Sequence, residues 1–460
     1  MCLNKVIEQL TQALGEENVL TEKEELAAYS FDATADIPKV VPQVVVTPTS
    51  TQQVQEVVKI AAKYKMPLYT RGSGTNLSGG TIPLNQGIVM VMVKMNKILE
   101  IDAENLTATV QPGVIIQDLN DAVAEYGLIY PPDPGTVATA TMGGSVAECS
   151  GGLRGLKYGV TKHYVMGLEV VLANGKVMRC GGKTVKNVTA YDMVKLFVGS
   201  EGTLGVITEI IVKLIPAPET RKSALAVFRS LDDAAKAITG IIANKVIPAT
   251  LEIMDNVTIR TVENYARVGL PTDAEAVLLI EVDGIPEVVE KEAEVVARVC
   301  RENNGELKLA ETAEERDEIW QARRAALPAL AQVSPTTVLE DATVPRSKIP
   351  DMLKALRHIA EKYQLTIGTF GHAGDGNLHP TILTDENNAE EMKRVHKAVD
   401  EIFEVALSLG GTLSGEHGIG IAKQKYLEKE FGEAGIEALK AIKKALDPEN
   451  ILNPGKILKF

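Results

Sequence analysis

The hydrophobic and polar positions near the start of the chain predict a β–α–β unit. Residues 44–46 are all valine, which is typical of a short buried strand. Ser50, followed three residues later by Gln53, resembles a helix capping box. Apolar residues then recur at helical spacing until Pro67, and a second apolar strand at 68–70 leads directly into a glycine-rich loop. We therefore expect that loop at the end of a strand.

Later segments predict antiparallel strands and then a region where strands and helices alternate. Asn174 and Gly175 separate two apolar runs, which predicts a hairpin with a type I′ turn. Pro216 and Pro218 end the last strand of this part and mark a domain boundary. Beyond them, strands alternate with long amphipathic helices, which predicts open sheets with helices on one face.

These patterns give an α+β fold class and three parts of the 460-residue chain. Residues 1–37 form an N-terminal helical segment, residues 38–217 a first domain and residues 218–460 a second domain. The length agrees with a protein of several domains.

Composition excludes several classes of protein. The chain has 48 Lys+Arg against 61 Asp+Glu, a net charge of −13, which argues against a nucleic-acid binder. The four cysteines are far apart and form no C-x-x-C pair, so a disulfide framework, an iron–sulfur site and a cysteine zinc site are poorly supported. We expect free buried thiols at Cys2, Cys149, Cys180 and Cys300.

No feature of the sequence predicts a membrane span or a secretion signal. The longest apolar run, at 87–93, is far shorter than the roughly 20 residues that a membrane helix needs. The N-terminus carries acidic residues early and resembles an amphipathic helix. We expect a cytoplasmic protein, which a partner could hold at a membrane surface.

Three glycine-rich segments lie within the first half. Residues 71–76 are Arg-Gly-Ser-Gly-Thr-Asn, where the backbone can approach an anion closely. This is no Rossmann fingerprint, because Leu77 stands where glycine is needed, and no Gly-Lys-Ser/Thr follows. Residues 131–159 and 198–207 add two more such segments. Each could be an ordinary turn, but together they predict a groove for a long, flat, phosphate-bearing ligand.

The chain has only six histidines, and three lie in two short glycine-bound motifs. His372 and His379 could turn their imidazoles onto one centre, and a carboxylate from elsewhere would complete a metal site with open positions. Nitrogen and oxygen ligands suit Zn, Mn or Fe. The alternative is that these histidines cap loops or lie satisfied in the core, and Asp375 is a rival ligand. His358 and His396 fall on predicted helices without a function.

The order of these motifs resembles the vanillyl-alcohol oxidase / p-cresol methylhydroxylase flavoprotein superfamily. Within it, the chain is most similar to the branch of D-lactate dehydrogenases, glycolate oxidase FAD subunits and D-2-hydroxyglutarate dehydrogenases, from about residue 38 to the end. The resemblance implies a two-subdomain FAD-binding domain at 38–217. It also implies a C-terminal α+β substrate (cap) domain at 218–460, with a metal site and a C-terminal tail that contacts FAD.

The resemblance also implies which residues bind FAD. The pyrophosphate would lie on Arg71, Gly72, Ser73, Gly74, Thr75 and Asn76. Further FAD contacts would be Pro134, Gly135, Thr136, Gly143, Gly144, Ser145, Ser150, Gly151, Gly152, Tyr158, Gly159, Glu201, Gly202, Gly205, Val206, Ile207, Asn377 and Asn453. Thr75 stands where some relatives tether flavin through a histidine, so we expect non-covalent FAD. A scaffold role stays open for Tyr158 and for His163, which also matches the family pattern.

The family's metal ligands match His372, His379 and Glu416. His417 matches the residue that acts on the substrate hydroxyl, and Asn377 would lie close to flavin and substrate. The resemblance thus implies that a divalent metal and one histidine work on the same hydroxyl group.

Arg323, on a predicted helix, is the candidate partner of a substrate carboxylate. An arginine there is often solvated, but the family's W-x-x-R pattern gives it this bidentate role. D-2-hydroxyglutarate dehydrogenases carry a threonine and a lysine for a second carboxylate, where this chain has Leu327 and Leu339. This difference points to a small monocarboxylate, D-lactate or glycolate.

We therefore expect metal-assisted hydride transfer from a D-2-hydroxy acid to flavin N5, which gives the 2-keto acid. Electrons would leave to an external acceptor, such as an electron-transferring flavoprotein, a quinone or an iron–sulfur subunit, in a homodimer or a heteromeric complex. Three alternatives stay open: another D-2-hydroxy acid such as D-2-hydroxyglutarate, a metal-dependent hydrolase with a nucleotide-binding domain, and a non-enzymatic flavin-binding subunit.

Overall fold

The computed structural model describes residues 3–460, which form two compact units. Unit 1 contains the described chain up to Ser150, Val160–Ala217 and Glu416–Phe460, and unit 2 contains Gly151–Gly159 and Pro218–Gly415. One division falls after Ala217, where the proline pair suggested a boundary. The sequence-defined domain 218–460 therefore contains parts of both units, because the last segment belongs to unit 1.

The described chain is a mixture of helices and strands. The α-helices are α1 Leu3–Leu14, α2 Lys23–Ala27, α3 Thr51–Tyr64, α4 Ile116–Ala124, α5 Met142–Glu148, α6 Gly155–Tyr158, α7 Met193–Phe197, α8 Leu231–Ala243, α9 Asn256–Ala266, α10 Pro286–Glu302, α11 Ala313–Arg324, α12 Ala326–Val333, α13 Ile349–Tyr363, α14 Ala389–Ser408 and α15 Leu427–Leu446. The strands are β1 Val19–Leu20, β2 Val44–Val46, β3 Leu68–Arg71, β4 Ile88–Val91, β5 Ile98–Asp102, β6 Thr107–Val110, β7 Leu128–Ile129, β8 Val165–Val171, β9 Val177–Gly181, β10 Val206–Lys213, β11 Ile215–Pro216, β12 Thr220–Phe228, β13 Thr250–Asp255, β14 Ala276–Gly284, β15 Glu306–Leu309, β16 Thr336–Leu339, β17 Ala342–Thr343, β18 Thr366–His372 and β19 Asn377–Thr384. This mixture confirms the α+β class. None of the helices in residues 3–460 combines the length and the apolar character that crossing a bilayer requires.

The first sheet of unit 1 contains the predicted β–α–β unit. Its order is β1-β2-β4-β3, and β2, β4 and β3 run parallel. Ser50 caps α3, because its hydroxyl accepts the N–H of Gln53 at 3.3 Å. The Gln53 side chain accepts the N–H of Thr49 at 2.7 Å, one residue before the position that a full capping box uses. The predicted helix start is thus confirmed. Of the two hydrogen bonds of the expected capping box, the one to Ser50 Oγ is formed, and the one to Gln53 comes from Thr49 instead of Ser50.

The second sheet of unit 1 is antiparallel, in the order β5-β6-β10-β8-β9. The predicted hairpin is its β8–β9 pair, but the predicted type I′ turn is wrong. Gly175 has a positive φ of 76° and Asn174 does not, whereas a type I′ turn needs both. The Asn174 side chain instead accepts the N–H of Lys176 at 3.0 Å, which stabilises a longer loop.

Unit 2 is built on one eight-stranded antiparallel sheet, in the order β15-β12-β14-β13-β18-β19-β16, with β17 paired to β19. The expectation of helices on one face is wrong. Helices α8, α10, α13 and α14 pack in one apolar cluster, and α9, α11 and α12 pack in another. Every residue of β14 except Gly284 is buried, as in a strand whose two faces are both covered.

The cysteines were expected to be free, buried thiols. Cys300 is buried, Cys149 and Cys180 are half-buried, and all three are free thiols. Cys2 lies outside the described residues. Burial raises the pKa of Cys300 to about 12, so this thiol is inert at neutral pH.

Candidate functional site

In unit 2, four side chains of the β18–β19 hairpin share one face of the sheet. Phe370 pairs with His379, and His372 pairs with Asn377. Because paired residues, and residues two apart on a strand, point to the same side, all four side chains meet there. His372 is the last residue of β18 and His379 lies within β19, so both predicted histidine ligands lie on strands.

The two predicted histidine ligands lie next to each other. The ring centroids of His372 and His379 are 5.0 Å apart, and one nitrogen of each lies within 4.8 Å of the other. Both residues are buried, at 6% and 3% exposed. The structure thus brings together two imidazoles of the predicted metal site.

A buried carboxylate that the sequence analysis missed holds one of these rings. Ile253 of β13 pairs with Gly371, and the same register continued by one residue places Glu252 opposite His372. His372 Nδ1 donates to Glu252 Oε1 at 2.7 Å, and Glu252 is fully buried. The available signal was a single charged residue within the apolar run Leu-Glu-Ile-Met, because buried strands rarely carry an unpaired charge.

Glu252 also binds Arg323, the predicted partner of a substrate carboxylate. Arg323 Nε donates to Glu252 Oε2 at 2.6 Å, and the guanidinium carbon lies 4.8 Å from the centroid of the Phe370 ring. Burial acts to raise the pKa of Glu252, but electrostatic interactions and hydrogen bonds with His372 and Arg323 hold this pKa at about 2. Glu252 is therefore ionised at neutral pH.

Asn377 is fixed by a second buried carboxylate. Its amide donates to Asp341 Oδ1 and, at 2.6 Å, to Thr343 Oγ1. Ser414 donates to the other oxygen of Asp341 at 2.6 Å. A carboxylate oxygen of Asp341 and a nitrogen of His379 lie within 4.8 Å of each other, so Asp341 is a further polar neighbour of His379.

Asp375, the rival ligand, lies in the turn that joins β18 to β19. Its Oδ1 accepts the N–H of Asn377 at 3.3 Å. Gly376 in the same turn has a φ of 91°, and a Cβ there would lie 2.0 Å from the carbonyl oxygen of Val344. This geometry favours the turn role for Asp375.

In unit 1, the first glycine-rich loop follows β3 as predicted and is closely packed. A Cβ on Gly72 would lie 2.1 Å from Thr141 Oγ1, which caps α5 by accepting the N–H of Gly144 at 3.2 Å. Residues 71–76 and the Gly143–Gly144 motif therefore lie side by side. Glycine allows this close approach of the backbone.

Arg71 does not extend freely from this loop. Its Nη1 donates to the carbonyl of Phe31 at 3.0 Å, and its guanidinium lies 5.6 Å from the centroid of the Tyr29 ring. A Cβ on Gly74, which has a φ of 77°, would lie 1.8 Å from Arg71 Nη2. Burial lowers the pKa of Arg71, and nearby Asp32 opposes this shift. The side chain thus crosses its own loop.

Glu201 and Asn453 link the glycine loops of unit 1 to its C-terminal segment. The Glu201 carboxylate accepts the N–H groups of Ile419 and Gly420, at 2.7 and 2.8 Å. The Asn453 amide donates to the carbonyls of Gly80, at 3.0 Å, and of Glu201, at 2.6 Å. In this structure both residues therefore fix protein segments in place.

Glu416 and His417 begin the last segment of unit 1. Both side chains are half-buried, and His417 Nε2 lies 3.7 Å from Glu416 Oε1. A Cβ on the next residue, Gly418, would lie 2.1 Å from Glu148 Oε2 and 3.0 Å from Glu201 Oε1. Burial, and then the Glu201 charge, raise the pKa of Glu148 well above its ordinary value. No motif in the sequence had indicated this carboxyl pair.

The other predicted FAD contacts are divided between the two units. In unit 1, the hydroxyl groups of Ser145 and Ser150 contact each other and Thr161. Gly151, Gly152, Tyr158 and Gly159 belong to unit 2, where Tyr158 donates to Asp283 at 2.8 Å. His163 is exposed and its Nδ1 accepts the N–H of Val160 at 3.0 Å, which is a scaffold contact. His358 and His396 are exposed on α13 and α14.

Comparisons with known proteins cover nearly the whole chain. Residues 217–457 match the family described as FAD linked oxidases, C-terminal domain, and residues 42–181 match an FAD binding domain. The chain is 53% identical to the glycolate oxidase subunit GlcD of Bacillus subtilis, over 99% of this chain and 97% of that protein. It is 37% identical to a D-lactate dehydrogenase of Archaeoglobus fulgidus, over 94% of this chain and 96% of that protein.

Among solved structures, p-cresol methylhydroxylase with substrate bound has the same fold. The TM-score is 0.81 over 99% of this chain and 96% of that chain, at 22% sequence identity. At this identity the likeness concerns the fold alone.

Proposed function

Since this chain belongs to the family of FAD-linked oxidases, we propose that it oxidises a small D-2-hydroxy acid, with D-lactate or glycolate as substrate. Membership makes the chain an FAD-linked oxidoreductase and confirms the resemblance drawn from its glycine and histidine motifs. It also decides against the hydrolase and the non-enzymatic subunit that those motifs left open.

The single observation that best supports the proposal is the way in which Glu252 and Phe370 hold the side chain of Arg323. Its Nε donates to Glu252 and its guanidinium carbon lies 4.8 Å from the centroid of the Phe370 ring, so the two terminal nitrogens are the atoms that can meet a ligand. Two parallel N–H groups are suited to bind a carboxylate in bidentate fashion. A buried arginine held in this way supports a role in binding an acid substrate.

Leu327 and Leu339 support a substrate with one carboxylate. Both are half-buried and pack in the apolar cluster that contains Trp320 and Phe370. Leucine side chains offer no hydrogen bond, so a second carboxylate buried beside them would lose its hydration without compensation. The relatives named above as a glycolate oxidase subunit and a D-lactate dehydrogenase agree with this choice over D-2-hydroxyglutarate.

His372 and His379 fit a divalent metal such as Zn, Mn or Fe. Because His372 Nδ1 donates to Glu252, its Nε2 carries the lone pair that a metal needs, and such carboxylate–histidine pairs are typical of metal sites. The third ligand that we propose from the sequence is Glu416. Gly72 and Gly74, at which any Cβ would clash, fit a loop that approaches the FAD pyrophosphate.

The residues of the chain then have distinct roles in the reaction. When bound, the metal would polarise the substrate hydroxyl and FAD would accept the hydride from Cα. Arg323 orients the substrate carboxylate, and His417 accepts the hydroxyl proton. We propose an external acceptor for the electrons, such as an electron-transferring flavoprotein, a quinone or an iron–sulfur subunit. This agrees with the description of one relative as a subunit of an oxidase.

Anaerobic reduction of the bound flavin tests the proposal. The FAD-loaded protein is mixed separately with D-lactate, L-lactate, glycolate and D-2-hydroxyglutarate, and the visible flavin absorbance is followed. We expect D-lactate or glycolate to bleach it fastest. Bleaching by none of the four acids would refute the proposed function, and fastest bleaching by D-2-hydroxyglutarate would refute the choice of a monocarboxylate.

Replacement of His417 tests its proton-transfer role. We expect the His417→Ala protein to keep its FAD and to be reduced by substrate about 10²–10⁴-fold more slowly, because a general base contributes about that factor. His396, which is exposed on α14, provides the control substitution His396→Ala. Unchanged reduction of the His417→Ala protein would remove this residue from the mechanism.

A further inference from the structure

We propose that Glu252 is a positioning residue that serves both halves of the candidate site, because it holds a metal-binding imidazole and the substrate-binding guanidinium with one carboxylate. One oxygen binds His372 Nδ1 at 2.7 Å and the other binds Arg323 Nε at 2.6 Å. The inference deepens the proposed function and rests on it for the roles of His372 and Arg323.

The burial of Glu252 explains why its two partners are needed. Glu252 is fully buried on β13, between β14 and β18 in the centre of the sheet. A carboxylate in such a place is costly unless strong donors satisfy both of its oxygens. His372 and Arg323 are those donors. The three side chains therefore form one unit in which none can move without loss to the other two.

On the histidine side, Glu252 selects the tautomer. Because its oxygen accepts from Nδ1, the proton of the neutral ring is on Nδ1 and the lone pair is on Nε2. A glutamine cannot keep both contacts, since its amide group has one oxygen and one donating nitrogen. If the nitrogen faces His372, it favours the proton on Nε2, which blocks metal binding. If the nitrogen faces Arg323, two donors oppose each other.

On the arginine side, Glu252 sets the direction of the guanidinium. The hydrogen bond from Nε to Glu252 and the contact with the Phe370 ring hold the group in position. The two terminal nitrogens are thus presented together, as bidentate binding of a carboxylate requires. Without Glu252, Arg323 would keep its charge but lose this orientation.

The chain offers a matched control at Glu281. This buried glutamate lies on the neighbouring strand β14, where it accepts from Ser223 Oγ at 2.7 Å and from Trp320 Nε1 at 3.1 Å. Trp320 lies on the same helix, α11, as Arg323. Glu281→Gln therefore perturbs the same sheet and helix through hydrogen bonds to Ser223 and Trp320, and not through those that Glu252 makes to His372 and Arg323.

The experiment compares FAD-loaded wild-type, Glu252→Gln, Glu252→Asp and Glu281→Gln proteins. The affinity for Zn²⁺ is measured by competition with a fluorescent chelator, and kcat and KM are measured with the acid that reduces the flavin. We expect Glu252→Gln to weaken Zn²⁺ binding about 10–100-fold, as loss of such a partner typically does. We also expect it to raise KM about tenfold or more, because the Arg323 guanidinium is no longer oriented to bind the substrate carboxylate.

The controls separate positioning from folding. Glu252→Asp keeps the charge, so its Zn²⁺ affinity should lie closer to wild type than that of Glu252→Gln. Glu281→Gln should keep wild-type Zn²⁺ affinity and KM. Wild-type values in Glu252→Gln, equal losses in Glu281→Gln, or a wild-type protein that binds no Zn²⁺ would each overturn the inference.

The outcomes also distinguish this inference from the proposed function. Zn²⁺ binding that is lost in Glu252→Gln would support the histidine part, even if no hydroxy acid reduced the flavin and the proposed function failed. Conversely, if D-lactate or glycolate reduced both proteins equally and both bound Zn²⁺ equally, the proposed function would stand and the role of Glu252 would be refuted.

Discussion

Gly376 shows how much the histidine hairpin depends on one residue. It has a φ of 91°, and a Cβ would lie 2.0 Å from the carbonyl oxygen of Val344, which belongs to the backbone and cannot turn away. Gly269 has a similar φ of 81°, but a Cβ there would meet no atom within 4 Å. The two glycines therefore separate the cost of an unfavourable backbone conformation from the cost of a steric clash.

We predict that Gly376→Ala lowers the free energy of unfolding by roughly 3 kcal/mol or more, and Gly269→Ala by about 1–2 kcal/mol. Both variants carry the backbone cost, and Gly376→Ala adds the clash with Val344. Thermal and urea unfolding of the two proteins measure the difference. Equal losses in both variants would mean that the hairpin relaxes around the added methyl group.

At the scale of elements, Asp255 joins a helix to the strand that carries His372. Its Oδ1 caps α9 by accepting the N–H of Thr258 at 2.9 Å, and its Oδ2 accepts the N–H of Thr369 of β18 at 2.8 Å. Burial raises the pKa of Asp255 from 3.8 to about 6, against these hydrogen bonds. The cap is thus made by a carboxyl group whose charge the fold disfavours.

The raised pKa predicts a pH dependence of stability. Between pH 4 and pH 6 the folded protein keeps a proton on Asp255 that the unfolded chain has lost, so this contribution to stability is present below about pH 4 and is lost as the pH rises towards 6. Between pH 4 and pH 6, the free energy of unfolding of wild type should fall by up to about 3 kcal/mol relative to that of Asp255→Asn. Unfolding at several pH values measures it.

Asp192 provides a control for the loss of a capping carboxylate. It caps α7 in the same way, by accepting the N–H of Lys195 at 3.0 Å, but it is exposed. The effect of Asp192→Asn on the free energy of unfolding therefore gives the baseline for replacing a capping carboxylate, against which Asp255→Asn is compared. The same slope in Asp255→Asn as in wild type would contradict the prediction.

At the scale of the whole molecule, the C-terminal tail completes unit 1. Leu452 forms an isolated parallel β-bridge with Leu68 at the start of β3. The Asn453 side-chain amide donates hydrogen bonds to the carbonyls of Gly80 and Glu201. Three segments that are far apart in sequence are thus joined next to the predicted FAD loops. Asn450 has a similar positive φ of 49°, against 41° at Asn453, but its side chain makes no such bridge in the described chain.

We predict that Asn453→Ala lowers the free energy of unfolding by about 2 kcal/mol, because it removes two buried hydrogen bonds. FAD should also be lost faster on dialysis. Asn450→Ala, which changes the same backbone preference, should cost less than about 1 kcal/mol and retain FAD as wild type does. Thermal unfolding and flavin fluorescence measure both effects. A larger loss in Asn450→Ala would show that the tail acts through its backbone alone.

Local periodicity was enough to predict many elements. The strand at 44–46, the helix that Ser50 caps and the loop that begins at Arg71 follow from side-chain spacing, capping chemistry and glycine content, which act over a few residues. The motifs around His372 and Arg323, through their resemblance to a known family, likewise predicted a metal ligand and a substrate-binding arginine. In this protein the sequence by itself determined the α+β class, the order of elements and the residue types of the candidate site.

The tertiary structure alone decided which residues meet. Glu252 lies 120 positions from His372, and their contact depends on the register of β13 with β18. The packing of helices on both faces of the unit 2 sheet, and the return of Asn453 to the loop at Gly80, also depend on contacts that are distant in sequence. Spacing along the chain carries no record of strand register, so the buried carboxylate that organises this site emerged only when the sheet was assembled.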